Sequence, residues 1–78
     1  MSCHYTISVG PVDGGWSVAC DAVREPMMFL SGARAEAQAR ALARRLSEAD
    51  DEVEVEVTVR DRARVIVGSA LYRAREFA

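Results

Sequence analysis

Apolar and polar residues alternate along the first part of the chain: Tyr5, Ile7 and Val9 are separated by Thr6 and Ser8, and Trp16, Val18 and Cys20 by Ser17 and Ala19. This period of two predicts two half-buried strands. The stretch between them, Pro11-Val12-Asp13-Gly14-Gly15, contains Asp-Gly, the pair best suited to the positive φ angles of a tight hairpin turn. With Asp13 and Gly14 as the loop, Val9 stands opposite Val18, Ile7 opposite Cys20 and Pro11 opposite Trp16. All the apolar residues then share one face, so the pattern and the turn select the same register.

Arg24-Glu25-Pro26 reads as a turn into Met27-Met28-Phe29-Leu30, four large apolar residues with no polar break. Such a run fits a strand covered on both faces, and equally a strand that meets another subunit. Ser31 or Gly32 can then cap a helix running to Ala49, built from strong helix formers without a β-branched residue. Ala35, Ala39, Leu42 and Leu46, with Ala43 beside them, form its apolar stripe, while Glu36, Arg40 and Arg44 follow at i, i+4 and i+8 on the wet side.

Period two returns in Val53, Val55, Val57 and Val59, which alternate with Glu54, Glu56 and Thr58. The glutamates read as the solvated side of a strand, because side chains two apart on a strand do not converge on a cation. A loop at Asp61, Arg62 and Ala63 would set Val59 opposite Val65, Val57 opposite Val67 and Arg60 opposite Arg64. Residues 69–78 are expected to be a flexible tail or a short helical turn docked through Leu71, Tyr72 and Phe77.

These elements make one α+β domain over residues 1–78 in the order ββ(β)αββ: an antiparallel sheet of four or five strands with one amphipathic helix packed on one face. The predicted core is Tyr5, Ile7, Val9, Trp16, Val18, Leu42, Leu46, Val53, Val55, Val57, Val59, Val65 and Val67. Seventy-eight residues is close to the lower size at which one core suffices without a metal, a disulfide or a partner. A homodimer is therefore expected, with Met27, Met28, Phe29 and Leu30 as its candidate interface.

Charge narrows the function. The net value of −2 gives no overall field to hold nucleic acid or an anionic membrane. All ten basic residues are arginine, and two groups could still meet phosphates: Arg40 and Arg44 on the helix, and Arg60, Arg62 and Arg64 at the last hairpin. The polar, acidic outer face lacks the exposed aromatics on which single-stranded bases stack, so nucleic-acid binding ranks as the alternative.

No apolar run approaches the ~18 residues of a membrane span, and the first residues lack the flank of a signal peptide, which predicts a cytoplasmic protein. Cys3 and Cys20 are then expected to be thiols. His4 stands alone, and a zinc site with Cys3 would need two further ligands. Asp50, Asp51 and Glu52 could clasp a cation only weakly. Gly14-Gly15 leads into a strand, so it is no phosphate loop. No catalytic residue, cofactor or metal site is expected, and the leading reading is a non-catalytic interaction or assembly module.

The order of motifs resembles a family of small bacterial proteins catalogued as domain of unknown function 2188. The likeness is carried by Gly14-Gly15-Trp16-Ser17-Val18, by Ala35-Glu36-Ala37 with Ala41-Leu42-Ala43-Arg44, by Arg60-Asp61-Arg62-Ala63-Arg64-Val65, and by Tyr72. Members usually carry glycine where Arg62 stands, so the resemblance implies a looser last hairpin in this chain. It brings no reaction and no catalytic residues, since the family has none assigned.

Overall fold

The computed structural model describes residues 3–49 and 53–73. Five strands, β1 (Cys3–Val12), β2 (Gly15–Cys20), β3 (Met27–Phe29), β4 (Val53–Arg60) and β5 (Ile66–Arg73), and one helix, α1 (Gly32–Ala49), form an α+β domain. The strands lie in the order β3-β2-β1-β4-β5, and α1 crosses one face.

The first hairpin has the register that its pattern predicts: Ile7 pairs with Cys20, Val9 with Val18 and Pro11 with Trp16. Gly14 takes a positive φ of 80° but Asp13 does not, so the loop keeps the predicted register without the two positive φ angles expected of it. The sheet departs from the antiparallel expectation at one pairing, since β1 and β4 run parallel, with Ile7 beside Val57 and Val9 beside Val59. Two antiparallel steps bring β3 into the direction of β1, and α1 then carries the chain back to the end from which β1 starts. Alternation shows which residues face the core but not which way a neighbouring strand runs.

Ser31 is the helix cap: its carbonyl accepts the first helical bond, from Ala35 N at 3.0 Å, and its Oγ accepts from Arg34 N at 3.4 Å. Gly32 lies under Trp16, where a Cβ would come within 2.9 Å of the indole ring. The buried stripe of α1 is Ala35, Ala39, Ala43 and Ser47, a row spaced by four, with Leu42 and Leu46 half-buried on its flank. Ser47 satisfies its hydroxyl by donating to Arg44 O at 3.0 Å. Small residues in one row let the helix lie close against the sheet, whose large fully buried side chains are Ile7, Val9, Val18 and Val55.

The last hairpin differs most from expectation. Asp61 Oδ1 accepts from Ala63 N at 2.9 Å and Val65 N at 3.1 Å, while the Asp61 carbonyl accepts from Arg64 N at 2.9 Å. Asp61 N closes the loop onto Val65 O at 3.0 Å. The loop is thus Arg62-Ala63-Arg64, one residue later than its polar pattern indicates. A bulge at Val59/Arg60 follows, after which Val59 pairs with Gly68, Val57 with Ala70 and Val55 with Tyr72. An odd slip of this kind exchanges the faces of a strand. Val65 and Val67, expected in the core, are exposed, and Tyr72 packs against the core instead. Residues 69–73 belong to β5 rather than to a tail; Ala74 to Ala78, with Phe77, lie outside the described residues.

One buried group is out of balance. Thr58 is 7% exposed, and its Oγ1 has no hydrogen-bond partner among the described residues. An unmet buried hydroxyl costs about 1–3 kcal/mol, and valine has nearly the same shape with better strand propensity. Thr58→Val is expected to raise stability by about 1 kcal/mol in urea unfolding; a loss of that size would show that the hydroxyl is satisfied in solution.

Candidate functional site

The face of the sheet opposite α1 is uncovered. Register places His4, Thr6 and Ser8 of β1, Ser17 and Ala19 of β2, and Glu54, Glu56 and Thr58 of β4 on it. His4, which its sequence context leaves without a partner, lies between the two glutamates, with Nδ1 4.0 Å from Glu54 Oε1 and Nε2 4.0 Å from Glu56 Oε1. Among the described residues no group of histidine, cysteine and carboxylate is arranged to hold a metal. Cys20 is a buried free thiol whose Sγ accepts from Ala22 N at 3.4 Å. Asp50, Asp51 and Glu52 lie outside the described residues, as does the Cys3 side chain.

The two arginine groups are separated by the sheet. Arg40 and Arg44 are exposed on α1, and Arg40 Nη2 donates to Glu36 Oε1 at 2.6 Å. This bond, with Tyr72 nearby, raises the already high pKa of the Arg40 guanidinium. Arg60, Arg62 and Arg64 line a groove of about 270 Å³ on the uncovered face, floored by Ser8, Gly10, Ser17 and Ala19. Helix and hairpin arginines therefore cannot meet one ligand surface.

The hairpin holds one of its arginines, Arg64, under strain. Arg64 has φ of 65°, the left-handed region where a side chain is disfavoured and glycine is not. The polar pattern gives no sign of a positive φ at this residue, the last of the loop. Arg60 Nη1 donates to Arg64 O at 3.2 Å and ties the loop to β4. Among the described residues, no carboxylate pairs with Arg60, Arg62 or Arg64. Arg64→Gly is expected to stabilise the fold by roughly 0.5–1 kcal/mol through relief of the backbone, read as a higher thermal midpoint. A lower midpoint would mean that the arginine side chain contributes more than the strain removes.

Apolar surface concentrates at the two edges of the sheet. At the β3 edge, Met27 and Phe29 pack against the core, leaving Met28 and the 91% exposed Leu30 free on the surface. β3 is only three residues long and follows Pro26, and Gly15 keeps its neighbour flat: a Cβ there would meet Phe29 O at 2.4 Å. At the other edge, β5 is eight residues long and uncharged from Ile66 to Tyr72. Val65, Ile66, the 63% exposed Val67 and Leu71 are its exposed apolar residues. This edge is invisible to the alternation pattern, because reading it requires the bulge.

Among the described residues no helix is long and apolar enough to cross a membrane. No family model, curated protein or solved structure matches the chain.

Proposed function

We propose that this chain is a non-catalytic assembly module that works as a homodimer, joined edge to edge through β5. The observation that carries this reading is the β5 edge itself. An edge strand presents a row of unpaired N–H and C=O groups, and folded proteins guard such rows with charge, proline or a cover. From Ile66 to Tyr72 the edge has neither charge nor proline, and a second copy related by a twofold axis supplies what it lacks. Centred on Ser69, antiparallel self-pairing sets Val67 opposite Leu71 of the second copy and Ile66 opposite Tyr72. Val67 and Leu71 then meet across the axis while Ile66 meets the half-buried Tyr72, and two five-stranded sheets become one of ten strands.

The Met27 to Leu30 run supports a weaker version of the same function, because only Met28 and Leu30 remain available there. Sedimentation of two charged double variants separates the surfaces. Val67→Lys/Leu71→Lys is expected to yield monomers, and Met28→Lys/Leu30→Lys to remain dimeric. The reverse pattern would move the interface to β3, and a monomeric parent protein would end the proposal.

A further inference from the structure

We infer that the groove bounded by Arg60, Arg62 and Arg64 binds the phosphate group of a small phosphorylated molecule. Its floor is made of small residues, Ser8, Gly10, Ser17 and Ala19, so the sheet is locally bare, and two of them offer hydroxyl donors. Its wall carries three guanidinium groups and one carboxylate. That carboxylate, Asp61, already accepts two backbone N–H bonds through Oδ1. In a chain of net charge −2, the groove is a local positive site. Planar guanidinium donors suit phosphate oxygens and can bind two of them at once. Arg64 is held at a φ that favours glycine, and among the described residues none of the three arginines has a carboxylate partner, so their donors are open to an anion.

The surroundings set the size of the ligand. About 270 Å³ holds a phosphate with a small organic body. A nucleic-acid strand leaving the groove along the uncovered face would meet Glu54 and Glu56, and none of the residues lining the groove is aromatic. At the hairpin end Asp13 stands beside Arg62 and Arg64 and limits a polyanion there as well. The phosphate could come from free inorganic phosphate or from an ester; the guanidinium chemistry is the same.

Backbone amide shifts on the whole chain test this, with inorganic phosphate, pyrophosphate, a ribose monophosphate and a short oligothymidylate added in turn. Saturable shifts at Ser8, Gly10, Ser17 and 60–64 are expected with the small phosphates, strongest for the ester if the organic body fills the groove and for pyrophosphate if charge alone decides. Arg64→Gly, which relaxes the backbone, should keep the fold and weaken binding roughly tenfold or more. Gly10→Ala, whose Cβ would meet only the Arg60 Cβ at 3.9 Å, should weaken it by narrowing the floor. Arg40→Ala, on the other side of the sheet, should change nothing. Absence of saturation at millimolar phosphate, binding indifferent to Arg64→Gly, or oligothymidylate binding tighter than pyrophosphate would each overturn the inference.

Discussion

Ile7→Ala is expected to remove about 3–5 kcal/mol of stability and to lower the thermal midpoint by roughly 15–30 °C. Ile7 is fully buried on β1, the middle strand of the sheet, between Cys20 of β2 and Val57 of β4. Above it lies the alanine row of α1, whose side chains are too short to move into a cavity. Val57, the neighbour of Ile7 on β4, is held by ladders on both sides, so the void would stay open and the cost would sit at the upper part of the usual range. A domain of this length has about 4–12 kcal/mol in total, so the variant should be partly unfolded at 37 °C. A loss below about 1 kcal/mol in urea unfolding would show that the interior repacks freely and that the alanine row does not set a rigid spacing.

The second large effect concerns association. Val67→Lys/Leu71→Lys should weaken the dimer by more than about a hundredfold. In the proposed register Val67 and Leu71 face one another twice, once on each side of the twofold axis. Losing an apolar cross-strand pair costs up to about 1 kcal/mol, and placing like charges opposite one another adds a comparable amount. Two such sites give about 3–4 kcal/mol, and each 1.4 kcal/mol is tenfold in affinity. Both positions are exposed in the single chain, so the monomer should stay folded, with an unchanged circular dichroism spectrum. Dimers that persist at micromolar concentration would place the contact elsewhere.

The two ends of the chain differ in how much of the structure their sequence reveals. In the first hairpin the signals that set the register agree. Asp13-Gly14 demands one turn, the alternation demands one face, and both give the observed pairing of Val9 with Val18. The helix is equally legible in its extent, although its buried row takes in Ser47 and leaves Leu42 and Leu46 at the flank, because close approach to the sheet favours the smallest side chains. The last hairpin misleads for a physical reason. Its valines alternate cleanly, but the turn is decided by Asp61, which gathers the amides of Ala63 and Val65, and by Arg64, which takes a conformation not expected of arginine. The bulge next to it exchanges the faces of β5. The apolar edge and the groove both follow from that one loop, so neither could be read before the loop was known. The arginines themselves were legible as a charged cluster; that the helix and hairpin groups lie on opposite sides of the sheet was not, since that depends on α1 packing on one face alone.

Amide hydrogen exchange along β5, followed over a dilution series, tests the edge-to-edge dimer most directly. Every second amide of an edge strand points away from its neighbour, and in a lone chain those amides should exchange quickly. The account predicts that the outward amides between Val67 and Tyr72 are protected at high protein concentration and lose protection together as the protein is diluted. Fast exchange of those amides at every concentration would contradict it.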